Sequence, residues 1–359
     1  PVTLVRGPRR YRRVVVIAVE SLAAAFLDPS NPRRPKGMTP FLDSLLAENP
    51  HLNQCYSAGM DTEQGQYSLM CGRTDFEWDG HRYPGETLFS LARGSGYDAE
   101  MLYGDTQDFR DKEVAYPATL RLSRQFSRES FLGVLPSQEF CSWGGGLCDH
   151  AVLTQALNLL AASGSHPTLL LVDTLDTHPP YYWQKPEAAF PPAVRAAGPL
   201  QKSLNQLDDN LRSFFEGLKA RGLYDDKTLV VVTADHFPAF GSDALALSGA
   251  PDHNTNRIPM LFVSKSEGVF AGLNRDRLSS QLDLAPTLAR LMGLPPSPEF
   301  LGRDLLAKGP GRALSREQDL LRLRLAKAPE QDILLDDRGR PQDLNSPLAR
   351  WYRWRLGLM

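Results

Sequence analysis

Short apolar runs alternate with amphipathic stretches along most of this chain. Runs rich in valine, leucine and isoleucine are typical of strands buried on both faces of a parallel sheet. The runs span residues 12–22, 97–103, 167–178, 227–237 and 257–263, and the helices predicted between them span residues 39–47, 86–94, 149–162, 200–221 and 282–293. This alternation predicts an α/β protein whose mostly parallel central sheet is flanked by helices.

Three of the predicted strands end in side chains that bind metals in proteins. Glu20 ends the first run, His178 follows another, and the adjacent Asp235 and His236 end the most strand-like run. In open α/β sheets, ligands bind at the carboxyl ends of the strands. Each side chain alone fits a solvated strand end equally well, but three such endings together predict a metal site.

Residues 55–72 offer one hydroxyl, that of Thr62, between acidic neighbours at the predicted start of a helix. Asp61, Thr62 and Glu63 favour a helix cap and first turn, whose free N–H groups bind anions such as phosphate. Thr62 is therefore the candidate nucleophile. Taken by itself, the same stretch also fits a threonine that only caps a helix.

The remaining segments predict loops and a small appendage. Residues 105–147 are rich in Asp, Arg, Lys and Pro and contain three consecutive glycines, which is typical of a substrate-facing loop. The main domain is predicted to span residues 12–306. Residues 307–359 are expected to form a C-terminal appendage, a short hairpin and a helix, packed on that domain.

Charge and cysteine content narrow the class of protein. The 359 residues carry a net charge of −2 with scattered acids and bases, so no nucleic-acid partner is expected. The four cysteines form two pairs that are close in sequence, Cys55 with Cys71 and Cys141 with Cys148, without the spacing of a zinc ribbon. Two disulfides in an oxidising compartment are the simpler interpretation, and buried free thiols are the alternative.

The chain as given contains no run of 18 apolar residues and no visible signal peptide. It nevertheless begins at Pro1 with a basic lead-in, residues 6–13. We expect it to be the released part of a longer protein whose missing portion is a membrane anchor.

Taken in order, these motifs resemble the alkaline phosphatase/sulfatase superfamily, closest to lipoteichoic acid synthases and periplasmic phosphoglycerol transferases. The resemblance spans residues 14–306. It rests on Val-Glu20-Ser-Leu, Thr62 nine residues before Cys-Gly, Asp-Thr-His178-Pro, Thr-Ala-Asp235-His236, Arg257-Ile-Pro, and Asp283-Leu-Ala-Pro-Thr with Gly-Arg-Asp. No single motif is specific, but the ordered set is.

The resemblance implies an alkaline-phosphatase-like α/β fold and one divalent metal ion, Mn²⁺ or Zn²⁺ by chemistry. The implied metal ligands are Glu20, Thr62, Asp235 and His236. Thr62 attacks through the same oxygen, and His178 and His253 contact the phosphoryl or leaving group. The expected substrate-binding residues are Arg257, Arg110 and Lys112.

Departures from the superfamily patterns narrow the choice among the activities found in that superfamily. The Cys-x-Pro-x-Arg setting that a sulfatase needs is absent from this sequence, so sulfate-ester hydrolysis is not expected. Phosphoethanolamine transferases typically carry Glu-Thr where this chain has Glu20-Ser21, which favours phosphoglycerol transfer. The expected reaction moves phosphoglycerol from a phospholipid donor to a glycan or polymer hydroxyl through a phosphothreonine intermediate.

Several alternatives remain open at the level of the sequence. They are phosphoethanolamine transfer to a cell-envelope glycan or lipid, a secreted phosphodiesterase that uses the same site, and an inactive domain that binds a glycan or a protein. The expected location is the inner or cytoplasmic membrane, with the catalytic domain in the periplasm or outside the cell.

Overall fold

The computed structural model of the chain describes residues 8–74, 85–238, 242–248, 256–266, 268–317, 320–326, 328–335, 341–343 and 346–355. The strands are Arg13–Val19 (β1), Cys55–Tyr56 (β2), Asp98–Tyr103 (β3), Arg124–Phe126 (β4), Thr168–Asp173 (β5), Thr228–Ala234 (β6), Met260–Ser264 (β7), Ser279–Ser280 (β8), Arg312–Glu317 (β9), Leu320–Leu325 (β10) and Ala328–Leu334 (β11). The α-helices are Pro40–Glu48 (α1), Thr62–Cys71 (α2), Leu88–Gly94 (α3), Lys112–Leu120 (α4), Asp149–Ala162 (α5), Pro192–Arg195 (α6), Pro199–Ala220 (α7), Ser242–Ser248 (α8), Leu284–Leu291 (α9) and Pro347–Arg355 (α10).

A six-stranded sheet with the order β4-β3-β5-β1-β6-β7 forms the centre of the fold. Its strands run parallel except β7, which pairs antiparallel with β6. Every residue of β1, β5 and β6 is buried, because helices cover both faces of the sheet. The predicted α/β class and the mostly parallel sheet are confirmed.

Strands β1, β5 and β6 are neighbours in register. Ala18 pairs with Asp173 on one side and with Thr233 on the other, so the three strands end at the same level. The residues that follow them therefore come together at one edge of the sheet. This register is what allows Glu20, His178 and Asp235 to approach one another.

The segment 105–147 is more regular than its composition predicts. It contains α4 and the three-residue strand β4, which pairs with β3 at one edge of the sheet. The α4 segment does not look helical in the sequence because Pro117 lies inside it. Strand β4 cannot be predicted because three residues are too few to establish a period.

The C-terminal residues form an antiparallel sheet of β9, β10 and β11 rather than a single hairpin, followed by α10. Leu321, Ile333 and Tyr352 of this appendage share a small hydrophobic cluster with Leu282 and Leu301 of the main domain. The division at residue 306 remains a prediction. Within the described residues, no helix combines the length and the apolar character needed to cross a bilayer.

Candidate metal centre and active site

Glu20 is the first site residue, and it directly follows the buried strand β1. Its backbone N–H donates to Thr174 Oγ1 at 3.2 Å, and Thr177 Oγ1 donates to its carbonyl oxygen at 2.6 Å. Its carboxylate is almost fully buried and accepts a hydrogen bond from Ser21 Oγ at 2.6 Å. The segment that follows β5 thus fixes Glu20 in place.

Asp235 and His236 follow the neighbouring strand β6. Asp235 Oδ1 accepts the backbone N–H groups of Ser21 at 2.9 Å and His236 at 2.6 Å. The Nε2 atom of His236 lies 3.4 Å from Glu20 Oε1 and 3.5 Å from Asp235 Oδ2. One ligand atom from each of the three buried residues lies within 4.8 Å of the others, which is the size of a single-metal site.

Two features of this cluster fit a cation. Asp235 Oδ2 is buried and has no hydrogen-bond partner, which costs free energy unless something else pairs with it. His236 Nδ1 lies 2.8 Å from the carbonyl oxygen of Phe237, so the tautomer protonated at Nδ1 leaves Nε2 to bind a metal. A donor set of carboxylate oxygens and one imidazole suits Mn²⁺ or Zn²⁺.

The pKa values of the three side chains also favour a cation in this cluster. Burial raises the pKa of Asp235 to about 8, together with repulsion from the Glu20 charge. Burial opposes the charged form of Glu20, yet hydrogen bonding and attraction from His236 lower its pKa to about 2. Burial disfavours protonated His236, but the two carboxylates prevail and raise its pKa to about 10. The site therefore favours positive charge between the carboxylates.

Thr62 lies at the first position of α2, as predicted. Asp61 caps the helix by accepting the Gln64 N–H at 2.9 Å. Thr62 Oγ1 donates to Glu20 Oε2 at 3.1 Å, so its hydroxyl borders the metal-ligand cluster. The helix N-terminus beside it presents free N–H groups to an anion.

Close packing brings α2 to this position. A Cβ atom at Gly65 would lie 1.9 Å from the carbonyl oxygen of Asp235, so the first turn of α2 rests on the backbone of a candidate ligand. Gln281 joins the same elements, because Oε1 accepts the Ala58 N–H at 2.9 Å and Nε2 donates to the Ala234 carbonyl at 3.2 Å. Nothing in the sequence around Gln281 indicates this role.

The predicted substrate-binding residues Arg110 and Lys112 occupy different environments. Arg110 is 44% exposed and pairs with Glu63 at 2.9 Å and with Asp61 at 3.5 Å, at the N-terminus of α2. Lys112 is only 3% exposed, and its ammonium lies 2.6 Å from Asp105 and 3.4 Å from Glu63. Arg110 is thus accessible to a substrate, whereas Lys112 neutralises two buried carboxylates.

Of the remaining predicted residues, the structure describes His178 and Arg257 but not His253. His178 is half-buried, with Nδ1 at 2.7 Å from the Pro179 carbonyl oxygen, and its charge lowers the pKa of Glu20. Arg257 is exposed and borders a cavity of about 450 Å³, and its carbonyl oxygen accepts the Ala24 N–H at 2.9 Å. His253 lies outside the described residues.

One of the two cysteine predictions is confirmed and the other is wrong. Cys141 and Cys148 form a disulfide, but Cys55 and Cys71 are buried free thiols. Cys55 lies in β2 and Cys71 is the last residue of α2, so their closeness in sequence does not fix the geometry that a disulfide requires. Burial and the nearby charge of Asp283 raise the pKa of the Cys55 thiol.

Comparison with solved structures identifies the fold. A member of the alkaline phosphatase superfamily from Vibrio parahaemolyticus matches with a TM-score of 0.71, 20% identity, and coverage of 99% of this chain and 89% of that one. Lipoteichoic acid synthase LtaP from Listeria monocytogenes matches with a TM-score of 0.73, 16% identity, and coverage of 97% and 92%. The zinc complex of the periplasmic domain of EcEptC from Escherichia coli matches with a TM-score of 0.60, 15% identity, and coverage of 88% and 92%. The alkaline-phosphatase-like fold is confirmed.

The family follows from the sequence itself. Residues 12–294 match the family model described as Sulfatase, so the chain belongs to the sulfatase family of enzymes. It is 24% identical over 335 residues to lipoteichoic acid synthase 2 of Bacillus subtilis, an alignment that covers 84% of this chain and 48% of that protein. The chain thus spans about half the length of the curated relatives it matches.

Proposed function

We propose that this chain is the catalytic domain of a metal-dependent transferase that moves phosphoglycerol from a phospholipid to a hydroxyl of a glycan or growing polymer. The observation that carries the proposal is the hydrogen bond between Thr62 Oγ1 and Glu20 Oε2, which places a hydroxyl beside three metal-ligand side chains. The relatives named as lipoteichoic acid synthases support phosphoglycerol as the transferred group.

Glu20, Asp235 and His236 would hold one divalent cation, together with Thr62 Oγ1. The unpartnered oxygen of Asp235 and the mixed oxygen and nitrogen donors support this assignment. The zinc complex of the EcEptC domain supports zinc, and the donor set suits manganese equally well. When bound, the cation would lower the pKa of the Thr62 hydroxyl and would stabilise charge on the phosphoryl group by several kcal/mol.

In the first step, Thr62 Oγ1 forms a bond to the phosphorus of a phosphodiester head group, and the bond to the diacylglycerol oxygen breaks. The N-terminus of α2 stabilises the negative phosphoryl oxygens through its free N–H groups. Arg110 adds a positive charge at the same helix N-terminus, because its guanidinium group pairs with Asp61 and Glu63. The product of this step is a phosphothreonine that carries glycerol.

In the second step, the acceptor hydroxyl attacks the same phosphorus and releases Thr62. In the first step, His178 or His253 donates a proton to the departing diacylglycerol oxygen. In the second step, the same residue takes a proton from the acceptor hydroxyl. His178 suits this role because its Nδ1 faces the Pro179 carbonyl oxygen, which leaves Nε2 for the substrate. Arg257, exposed beside the turn that follows Glu20, is proposed to bind substrate as well.

We also propose that the domain works at a membrane surface outside the cytoplasm. A phospholipid donor requires the site to reach lipid head groups, for which we propose a membrane anchor elsewhere in the full protein. The disulfide between Cys141 and Cys148 supports an oxidising compartment.

The test is turnover of phosphatidylglycerol and, separately, of phosphatidylethanolamine by the wild type and by Thr62→Ala. We expect diacylglycerol release from phosphatidylglycerol to disappear in Thr62→Ala. Ser68→Ala is the matched control, because Ser68 lies on the same helix but donates to the Arg73 carbonyl at 3.0 Å, away from the site. Preferred turnover of phosphatidylethanolamine would reassign the donor, and release of glycerol phosphate without an acceptor product would make the domain a phosphodiesterase.

A further inference from the structure

The disulfide between Cys141 and Cys148 closes a short loop, residues 141–148, beside the site. We call this segment the disulfide loop. It presents Trp143, whose half-buried ring contacts the imidazole of His178 with the centroids 5.0 Å apart. On another side, the same ring meets the edge of Phe109 at 5.4 Å. Trp143 is thus the side chain through which the disulfide loop contacts a proposed catalytic residue.

The disulfide loop is itself rigidly anchored. Within it, Ser142 N–H donates to the Gly146 carbonyl at 3.0 Å, and Leu147 N–H donates to the Gly104 carbonyl at the end of β3 at 2.8 Å. A Cβ atom at Gly146 would lie 2.6 Å from Leu175 Cδ2, so the loop packs directly on the segment that leads to His178. Trp143 therefore has little freedom to move relative to that segment.

Asp149, the residue after the disulfide loop, also contacts the segment that leads to His178. Asp149 Oδ1 accepts the backbone N–H groups of Leu175 at 2.6 Å and Asp176 at 3.1 Å. In return, Asp176 Oδ2 accepts the Asp149 N–H at 3.0 Å. The start of α5 and the segment 174–178 are thereby clasped by three hydrogen bonds, and the disulfide loop leads directly into this clasp.

We propose that Trp143 is a positioning residue that fixes the imidazole plane of His178 for proton transfer. The χ2 torsion of a histidine is broad, so a half-exposed imidazole samples several orientations unless neighbouring groups restrict it. The Pro179 carbonyl oxygen restrains Nδ1, and the Trp143 ring blocks rotation out of that orientation. The inference rests on the proposed role of His178 as general acid and base.

The experiment compares Trp143→Ala and Trp143→Phe with His178→Asn, all in the metal-loaded domain acting on phosphatidylglycerol. Misplacement of a catalytic group by about 1 Å costs about 100-fold in rate, so we expect kcat of Trp143→Ala to fall about 10- to 100-fold. The KM for the donor should stay within about threefold, because Trp143 acts through His178 rather than on the lipid. Trp143→Phe keeps a ring in place and should restore most of kcat.

A second variant and a second readout guard against a trivial folding defect. Cys141→Ser/Cys148→Ser opens the disulfide loop without removing the ring, and it should lose kcat in the same way. Carbethoxylation of His178 by diethyl pyrocarbonate, mapped by mass spectrometry, should be several-fold faster in Trp143→Ala than in the wild type.

The possible outcomes test the positioning role of Trp143 separately from the catalytic role of His178. Loss of activity in His178→Asn together with wild-type kcat and wild-type modification rate in Trp143→Ala would overturn the positioning role alone. A proportional rise of KM in Trp143→Ala with unchanged kcat would overturn it too, since the ring would then contact substrate. Normal turnover in His178→Asn would overturn the proposed role of His178, and the inference with it.

Discussion

The Thr62 hydroxyl donates a hydrogen bond to Glu20 Oε2 at 3.1 Å, although 42 residues separate the two along the chain. Glu20 belongs to the end of a buried strand, and Thr62 belongs to the first turn of a helix. Their contact brings the predicted nucleophile next to the predicted metal site.

Metal binding should depend on Asp235. We expect Asp235→Asn to lower the affinity for Mn²⁺ or Zn²⁺, because one of its buried oxygens has no partner in the protein. At a metal concentration of 100 times the dissociation constant, binding stabilises the folded state by about 2.7 kcal/mol, so the wild type should melt higher with metal. Calorimetric titration and thermal melts measure both effects, and equal metal affinity in the variant would contradict the assignment.

Gly65→Ala should abolish turnover, although Gly65 is not proposed to contact the substrate. The added methyl would overlap the Asp235 carbonyl oxygen and push the first turn of α2 away from the ligands. Gly94→Ala is the matched control, since its Cβ meets nothing within 4 Å and alanine favours the helix by up to about 1 kcal/mol. Urea unfolding and turnover should separate them, and a fully active Gly65→Ala would show that α2 need not pack on Asp235.

Arg110 and Lys112 should give opposite phenotypes. Arg110→Gln removes an exposed charge, so we expect the donor KM to rise about tenfold with less than about 1 kcal/mol of lost stability. Lys112→Met leaves the buried Asp105 without this cation and leaves Arg110 to pair with Glu63, which costs about 3–5 kcal/mol. Denaturant titration beside steady-state kinetics tests both, and an unchanged unfolding free energy for Lys112→Met would refute its structural role.

Asp149 and Asp176 should make stability depend on pH. Burial and the facing Asp176 raise the pKa of Asp149, and burial raises the pKa of Asp176 to about 6, above the ordinary value of 3.8. The folded state therefore holds protons more tightly than the unfolded chain. The resulting stability is complete below about pH 4 and is lost as the pH rises through about 6.

Asp149→Asn keeps an acceptor for the Leu175 and Asp176 N–H groups but removes the second charge. We expect the decline in unfolding free energy between pH 5 and pH 8 to be smaller in the variant than in the wild type, because Asp176 no longer faces a second buried carboxylate. Urea unfolding of both proteins at the two pH values measures it. An identical decline in wild type and variant would show that repulsion between these two carboxylates does not contribute to the pH dependence.

The sequence predicts the strands and the site residues that follow them because both depend on local signals. Apolar runs such as Val14–Val19 are read from composition, and parallel strands necessarily bring their carboxyl ends together. Glu20, Asp235 and His236 could therefore be expected at one edge before any coordinates existed. Asp61 as a helix cap follows from equally local chemistry.

Other features depend on contacts between distant parts of the chain. Gln281 joins Ala58 to the end of β6, and no pattern around Gln281 indicates that contact. The prediction that Cys55 pairs with Cys71 failed because closeness in sequence does not fix the relative orientation of two side chains. The clasp formed by Asp149 and Asp176 likewise arises only when α5 packs beside the end of β5.

The most direct test of the account is the mass of the protein after incubation with metal and phosphatidylglycerol in the absence of acceptor. Peptide mapping should find one glycerol phosphate adduct on Thr62 in the wild type and in Ser68→Ala, and none in Thr62→Ala. An adduct on Ser57 or Ser68, or full turnover by Thr62→Ala, would contradict the assignment of Thr62 as the nucleophile.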